Sequence, residues 1–324
     1  MKAVLSRVLG LLVGIAIGGV LLTLAFRNTD WASVSAALRA GNWGWPALGV
    51  LCGTTLFVVA KAVRWRWLLG ADQVLTIAEL VRPVTAGLAL NALIPHAGEF
   101  VRAFSLNRRR GFVASAVLSS IVAERVFDLF AVLLLAACAL ALVPVPEAVA
   151  AAVRSIGFVA IVGSVGIVAI LAWPKPFYRL AEVVVRPLPD RLAHALLREV
   201  NAAIAGFRPV RSLRTSAFVL VWSLVQWLAI ALCAGCSAWV IGDAVGVGGS
   251  LLVVVGIVVA FLLPNAPGYA GSAQLAFLLA LGASGVTPSH ALAASVVYQL
   301  LMILPVVLLG LYWLRGSFSP TIET

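Results

Sequence analysis

From Val113 to Val143 the chain reads as one apolar helix, and part-way along it stand Glu124, Arg125 and Asp128. No other stretch limits the fold as strongly. The run is long enough to cross roughly 30 Å of hydrocarbon, and Pro144 and Pro146 end it. Ionisable groups inside such a span do not face lipid; they turn inward and pair with charges on neighbouring elements. Glu124 and Asp128 are four residues apart and share a helix face. At about 1.5 Å per residue Glu124 lies roughly 16 Å along the helix, near the middle of the layer. A helix of this kind requires a bundle around it.

The composition agrees. Of 324 residues, 63% are hydrophobic and 11% charged, where soluble domains run nearer a quarter charged. The long Leu/Val/Ala runs do not alternate as barrel strands must. The expected fold is therefore an all-α integral membrane protein, one polytopic domain over 1–318 with a short 319–324 tail. Full spans are expected at Val8–Phe26, Pro46–Leu69, Val113–Val143, Ile156–Trp173, Thr215–Ile241 and from Pro288 to near Arg315. The first follows Lys2 and Arg7 and is longer than a signal-peptide core, so it is read as retained. Trp31, Trp43 and Trp45 in the first polar connector suit an interfacial belt.

The connection 174–214 carries an amphipathic helix capped by Asp190, with Leu192, Leu196, Leu197, Val200, Ala203, Ile204 and Phe207 on one face. It reads as lying on the membrane surface, and as the docking surface if a partner enzyme binds. The net charge of +11 fits basic membrane flanks and calls for no nucleic acid. Cys52, Cys138, Cys233 and Cys236 all lie in apolar stretches, so the Cys233/Cys236 spacing reads as packing. No His-Glu-x-x-His and no phosphate-binding glycine loop is present, and His96, His194 and His290 are scattered. No metal, cofactor or catalytic constellation is expected.

Two apolar segments are interrupted. Segment 77–106 is broken at Asn91-Ala-Leu-Ile-Pro-His-Ala-Gly-Glu-Phe-Val-Arg102, and segment 251–282 at Leu263-Pro-Asn-Ala-Pro-Gly-Tyr-Ala-Gly271. With the N-terminus inside, eighteen of the 23 Lys and Arg fall on inner segments, and Arg27, Arg39 and Arg154 fall outside; Lys61 and Arg125 lie in the membrane. That bias obeys the positive-inside rule. It holds only if each broken segment leaves on the side it entered, giving about six spans and two re-entrant hairpins from opposite faces. Opposed, Gly/Pro-broken segments point to a transport site between two halves. The termini are then cytoplasmic and the location is the inner (plasma) membrane.

The candidate site joins Glu99 and Arg102 of the first break to Glu124, Arg125 and Asp128. Glu99 with Arg125, and Arg102 with Asp128 or Glu124, would neutralise the set. Two readings stay open: a buried ion network pinning the hairpin, or a cavity in which a guanidinium fork binds a lipid phosphate. The second break adds Asn265, Tyr269, Ser272 and Gln274, and the last span Tyr298 and Gln299, all neutral hydrogen-bonding groups. Lys61-Ala-Val-Arg64-Trp-Arg66-Trp67 forms a basic-aromatic collar suited to the phosphate level, and Arg64, Arg66, Arg108, Arg109 and Arg110 are expected at the interface.

Arg64-Trp-Arg-Trp-Leu-Leu, the 91–102 break, Glu124-Arg125-Val-Phe-Asp128 and the 263–271 break together resemble the transmembrane, flippase-like region of lysylphosphatidylglycerol synthetases. The resemblance implies a membrane module that moves or presents a phospholipid: an anionic, aminoacylated or polyprenyl lipid, with no cofactor. The relatives carry a C-terminal domain that makes the aminoacylated lipid. This sequence has nine residues after Arg315, so that enzyme activity is expected to be absent. The other classes considered are a non-catalytic partner of a lipid-modifying or cell-envelope enzyme and, less favoured, a membrane-embedded lipid-modifying enzyme.

Overall fold

The computed structural model describes residues 29–70, 75–94, 97–144, 174–185, 189–262 and 267–317 continuously, and isolated residues between 19 and 26 and between 147 and 165. The expected spans Val8–Phe26 and Ile156–Trp173 therefore lie largely outside the described residues. So do Pro95, His96, Pro264, Asn265 and the 319–324 tail.

Every regular element among the described residues is helical. In chain order these are α1 (Trp31–Ala40), α2 (Trp45–Leu68), α3 (Ile77–Leu93), α4 (Ala97–Arg110) and α5 (Ala114–Leu142). Then come α6 (Pro174–Val185), α7 (Asp190–Gly206), α8 (Leu213–Ile241), α9 (Val247–Leu262) and α10 (Ser272–Gly282). The last are α11 (Pro288–Tyr298) and α12 (Leu304–Ser317), joined by a π-turn over Gln299–Ile303. Four stretches are long and apolar enough to cross a membrane: α2, α5, α8 and Pro288–Arg315.

Local chemistry sets the helix ends. Asp30 caps α1 by accepting from Ala32 N–H and Ser33 Oγ. The Ser33 hydrogen bonds hold its carboxyl below the usual carboxylate range. Thr76 and Glu79 form a reciprocal capping box at the start of α3. Ser212 caps α8, and Gly242, at φ 99°, closes it in a conformation that disfavours a side chain. In the last span Pro305 has no N–H to give Leu301 O, and the Thr54 hydroxyl lies 3.4 Å from that carbonyl instead.

α2 and α8 pack antiparallel, with Gly49 against Cys236 and Gly53 against Cys233 at one end and the Trp67 and Phe218 rings 4.3 Å apart at the other. Small residues four apart let the helices approach closely. The cysteines are the facing partners of those glycines, as the packing reading expected.

Both broken segments fold back on themselves. α3 and α4 form a hairpin whose limbs cross at Gly87 and Gly98 and whose base is tied by the Arg110–Glu79 ion pair. α9 and α10 form another, with Gly256 against Ala276 near the tip and Gly249 against Ser284 at the base. α12 lies along α3, Gly310 touching Thr85 and Trp313 lying under the Arg82 guanidinium. α7 packs on the start of α5, with Gly206 against Ala116 O. Its apolar face divides: Leu197, Val200, Ile204 and Phe207 are half-buried, while Leu192 and Leu196 are exposed.

Two apolar cores result. One gathers Ala62, Trp65, Leu68, Leu80, Val117, Ile121 and Val219 at the end where α2 finishes. The other gathers Val50, Ala131, Leu135, Trp227, Val253, Phe277 and Tyr298 towards the opposite end. Along α8 the order is Val219, Ser223, Trp227, and Ser223 belongs to neither core. A charged layer occupies that level.

Candidate functional site

Lys61 and Arg64 are three apart on α2, and Glu124 and Asp128 four apart on α5, so each pair presents one face. The faces meet. Arg64 Nη1 donates to Asp128 Oδ1 at 2.5 Å and to Ser223 Oγ at 2.8 Å, and its Nη2 donates to Glu124 Oε1 at 2.8 Å. Lys61 pairs with the same Glu124 oxygen. Arg102, on the returning limb α4, donates to Glu124 Oε2 at 2.7 Å while its guanidinium lies 4.0 Å over the Trp65 ring. Trp227 Nε1 fills Asp128 Oδ1 from α8 at 2.9 Å. All five charged groups are buried, Arg64 completely. Packed this closely, the layer ties α2, α4, α5 and α8 together.

Arg64 is a correction. Its place near the end of α2 reads as an interfacial anchor, yet it is the most enclosed charge in the layer. The signal lay in the spacing of Lys61, Arg64, Trp65 and Leu68, which puts all four on the buried face of α2. Arg66, on the other face, is exposed, as are Arg108 and Arg110, in keeping with the collar; the Arg109 side chain lies outside the described residues. The depth also shifts. Glu124 stands level with Lys61, about 10 Å from the Leu68 end of α2 at 1.5 Å per residue, and so displaced from the middle towards that basic end.

Beside this enclosed layer lies an open one. Arg125 Nη2 donates to Glu99 Oε1 at 2.6 Å, the pairing that the sequence predicts. The Arg125 side chain is 52% exposed and Glu99 14%. Around them Phe100 and Phe104 of α4 and Val122 of α5 are exposed large apolar residues. A half-exposed guanidinium beside exposed aromatics on the side of an apolar helix needs polar company, because lipid tails alone would not solvate it.

The second hairpin reaches the same place. The Pro267–Tyr269 turn contacts α3, and Tyr269 lies within electrostatic range of Arg125 and Glu99. The turn after the second break thus lies close to α3 and to the Glu99–Arg125 pair. A side-chain amide ties the chain beside each break. Asn91 Oδ1 accepts from Gly98 N–H at 2.7 Å, spanning the first break. At the second, Gln274 Oε1 accepts from Gly271 N–H at 2.8 Å.

The family model for the lysylphosphatidylglycerol synthase TM region matches residues 11–310. The chain belongs to that family. A comparison with curated proteins found no match.

In this member of the lysylphosphatidylglycerol synthase TM-region family the remaining candidates serve the second tip. Gln274 Nε2 donates to Gln299 Oε1 at 2.8 Å, and Gln299 Nε2 donates to Gly268 O at 3.3 Å. Tyr298 is buried with its ring 5.2 Å from Phe277. Ser272 Oγ donates to Tyr269 O at 3.1 Å. These groups are committed to shaping the turn. Tyr269 itself is the one non-glycine residue with positive φ (58°) among the described residues. Such backbone persists where the surroundings over-determine it, and it recurs at ligand sites. No group of three or more His, Cys, Asp and Glu suited to a metal occurs among the described residues.

Proposed function

We propose that this chain is a lipid translocase in which a phosphate-bearing head group passes between the two hairpin tips while its tails stay in the bilayer. The observation that carries this reading is the approach of the Pro267–Tyr269 turn to the Glu99–Arg125 pair. A guanidinium offers a planar fork to phosphate oxygens, and the exposed Phe100 and Phe104 offer a surface that acyl chains tolerate. Glu99 occupies Arg125 when no head group is present and yields to phosphate when one arrives. The chain acts in this reading as a carrier and not as an enzyme.

The topology belongs to the same proposal. Six full spans, cytoplasmic termini in a plasma membrane, and hairpins dipping in from opposite faces are supported by the arginine distribution. Bases at opposite ends of the bundle support it too: Arg110 at the first hairpin, and Gly248 against Leu142 and Val143 at the second. Access from two sides to one central site is what alternating exposure of a lipid needs.

The test is transfer of acyl-labelled phospholipid between leaflets of proteoliposomes containing the full chain. Wild-type protein should accelerate transfer. Arg125→Ala should lower the rate at least about tenfold, with Arg125→Lys between, because lysine keeps the charge and loses the fork. Size-exclusion profiles report folding. A folded Arg125→Ala protein moving lipid at the wild-type rate would sink the assignment of this pair.

A further inference from the structure

The charges at the site do not cancel. In the enclosed layer Lys61, Arg64 and Arg102 face Glu124 and Asp128, and the Glu99–Arg125 pair beside it is neutral. Among the described residues the assembly carries one formal positive charge in excess. The hydrogen bonds give the same answer independently. Both oxygens of Glu124 and both of Asp128 accept from protein donors. The Nε atoms of Arg64 and Arg102, in contrast, are buried with no acceptor. Among the described residues the layer has one cation more than it has anions, and two of its guanidinium groups each keep an N–H without an acceptor. Arginine does not give up its proton. Nor is an unbalanced charge cheaply held in a low-dielectric interior. The half-exposed Arg125, on the same helix as Glu124 and Asp128, is the side from which a lipid head group could bring the missing charge.

Resting on the translocase reading, we infer that the site selects head groups of net negative charge, a phosphodiester with no compensating amine, and that Lys61 sets this preference. A zwitterionic head group brings no net charge and leaves the excess in place. A head group with a further amine raises it. Lys61 is the group that can be neutralised with least damage to the layer. It shares Glu124 Oε1 with Arg64, so every carboxylate oxygen keeps a partner after Lys61→Met, and two cations then face two anions. Arg64 and Arg102 are not interchangeable with it: one holds both carboxylates and the other pins α4 over Trp65.

Proteoliposomes of phosphatidylcholine containing the full chain provide the test. One fluorophore on the acyl chain is carried by phosphatidylglycerol, by phosphatidylethanolamine, by phosphatidylcholine or by a lysyl ester of phosphatidylglycerol, leaving each head group intact. Wild-type protein should move phosphatidylglycerol about tenfold faster than either zwitterionic lipid, equivalent to one unbalanced interaction of about 1.4 kcal/mol. The lysyl ester should be slowest. Lys61→Met should bring the ratio within about twofold, and Lys61→Arg should keep it. Equal rates for all head groups in wild type would overturn this inference and leave the translocase standing. So would a folded Lys61→Met protein with the preference intact. No movement of any lipid would overturn the translocase reading itself, and the inference with it.

Discussion

Glu124 takes three cations on two oxygens, one each from α2, α2 again and α4. Charges removed from water repay that loss only when the pairing is nearly complete, so this carboxylate is where the layer is most fragile. Glu124→Gln would leave Lys61, Arg64 and Arg102 opposed by Asp128 alone. The expected cost is about 3–5 kcal/mol, the usual scale for stripping one partner from a buried pair. It should appear as a large fall in thermal unfolding temperature in detergent. Glu124→Gln combined with Lys61→Met should recover part of it, by removing one of the orphaned charges; a double variant no more stable than the single would show that the cations are not what Glu124 balances. Much of this was legible in residues. Glu99 with Arg125, and Arg102 with Glu124 or Asp128, follow from the need to pair at depth, and the structure gives Arg102 to Glu124. Arg64 did not follow in this way, because a basic residue near a helix end looks the same whether it reaches outward to phosphate or inward to a carboxylate. Only the helical phase, shared with Lys61 and Trp65, separates the two.

At the level of elements, the hairpins depend on backbone contact. A Cβ at Gly98 would stand 1.9 Å from Gly87 O, and Asn91 already accepts from the Gly98 N–H across the break. Gly98→Ala must therefore push α4 away from α3, and with it Arg102 from Glu124. The measurable result is loss of lipid transfer and faster proteolysis near 91–102, whereas Gly111→Ala, with open space around it but φ at 69°, should cost only its own backbone strain. Similar proteolysis of Gly98→Ala and wild-type protein would mean that the tip is looser than the contacts imply. These elements are legible in the sequence where punctuation is strong. The span set at Val113–Val143 is α5 with Val113 and Val143 as its caps, and both Gly/Pro breaks are real breaks. α1 is not legible inside the first connector, where a ten-residue helix is capped by Asp30 in a stretch read as polar loop. The π-turn at Gln299–Ile303, before Pro305, left no signal either; the Thr54 hydroxyl that meets Leu301 O there comes from another helix. Contacts made across helices leave no local trace.

For the whole molecule the proposal turns on two hairpins with bases at opposite ends of the bundle and a single site between them. α5 links those ends. Its start follows directly on the base of the first hairpin at Arg110, and its finish at Leu142 and Val143 lies against Gly248 at the base of the second. If α5 crosses the membrane, the two bases face different compartments, and a site between the hairpins near Arg125 then has two approaches. Single cysteines report this directly. Arg108 is exposed at the base of the first hairpin and Ala283 is exposed at the base of the second. The native thiols are unsuited to confuse the result in intact cells, because Cys233 and Cys236 are buried, and Cys52 and Cys138 lie within apolar spans that a charged reagent does not enter. Ala283→Cys should react with a membrane-impermeant maleimide added to whole cells, and Arg108→Cys only after the inner face is exposed in inverted vesicles. Wild-type protein run in parallel sets the background. Labelling of both positions from one side would require α5 to leave the membrane on the side it entered, and neither the two-sided route nor the positive-inside arrangement of the arginines would survive it.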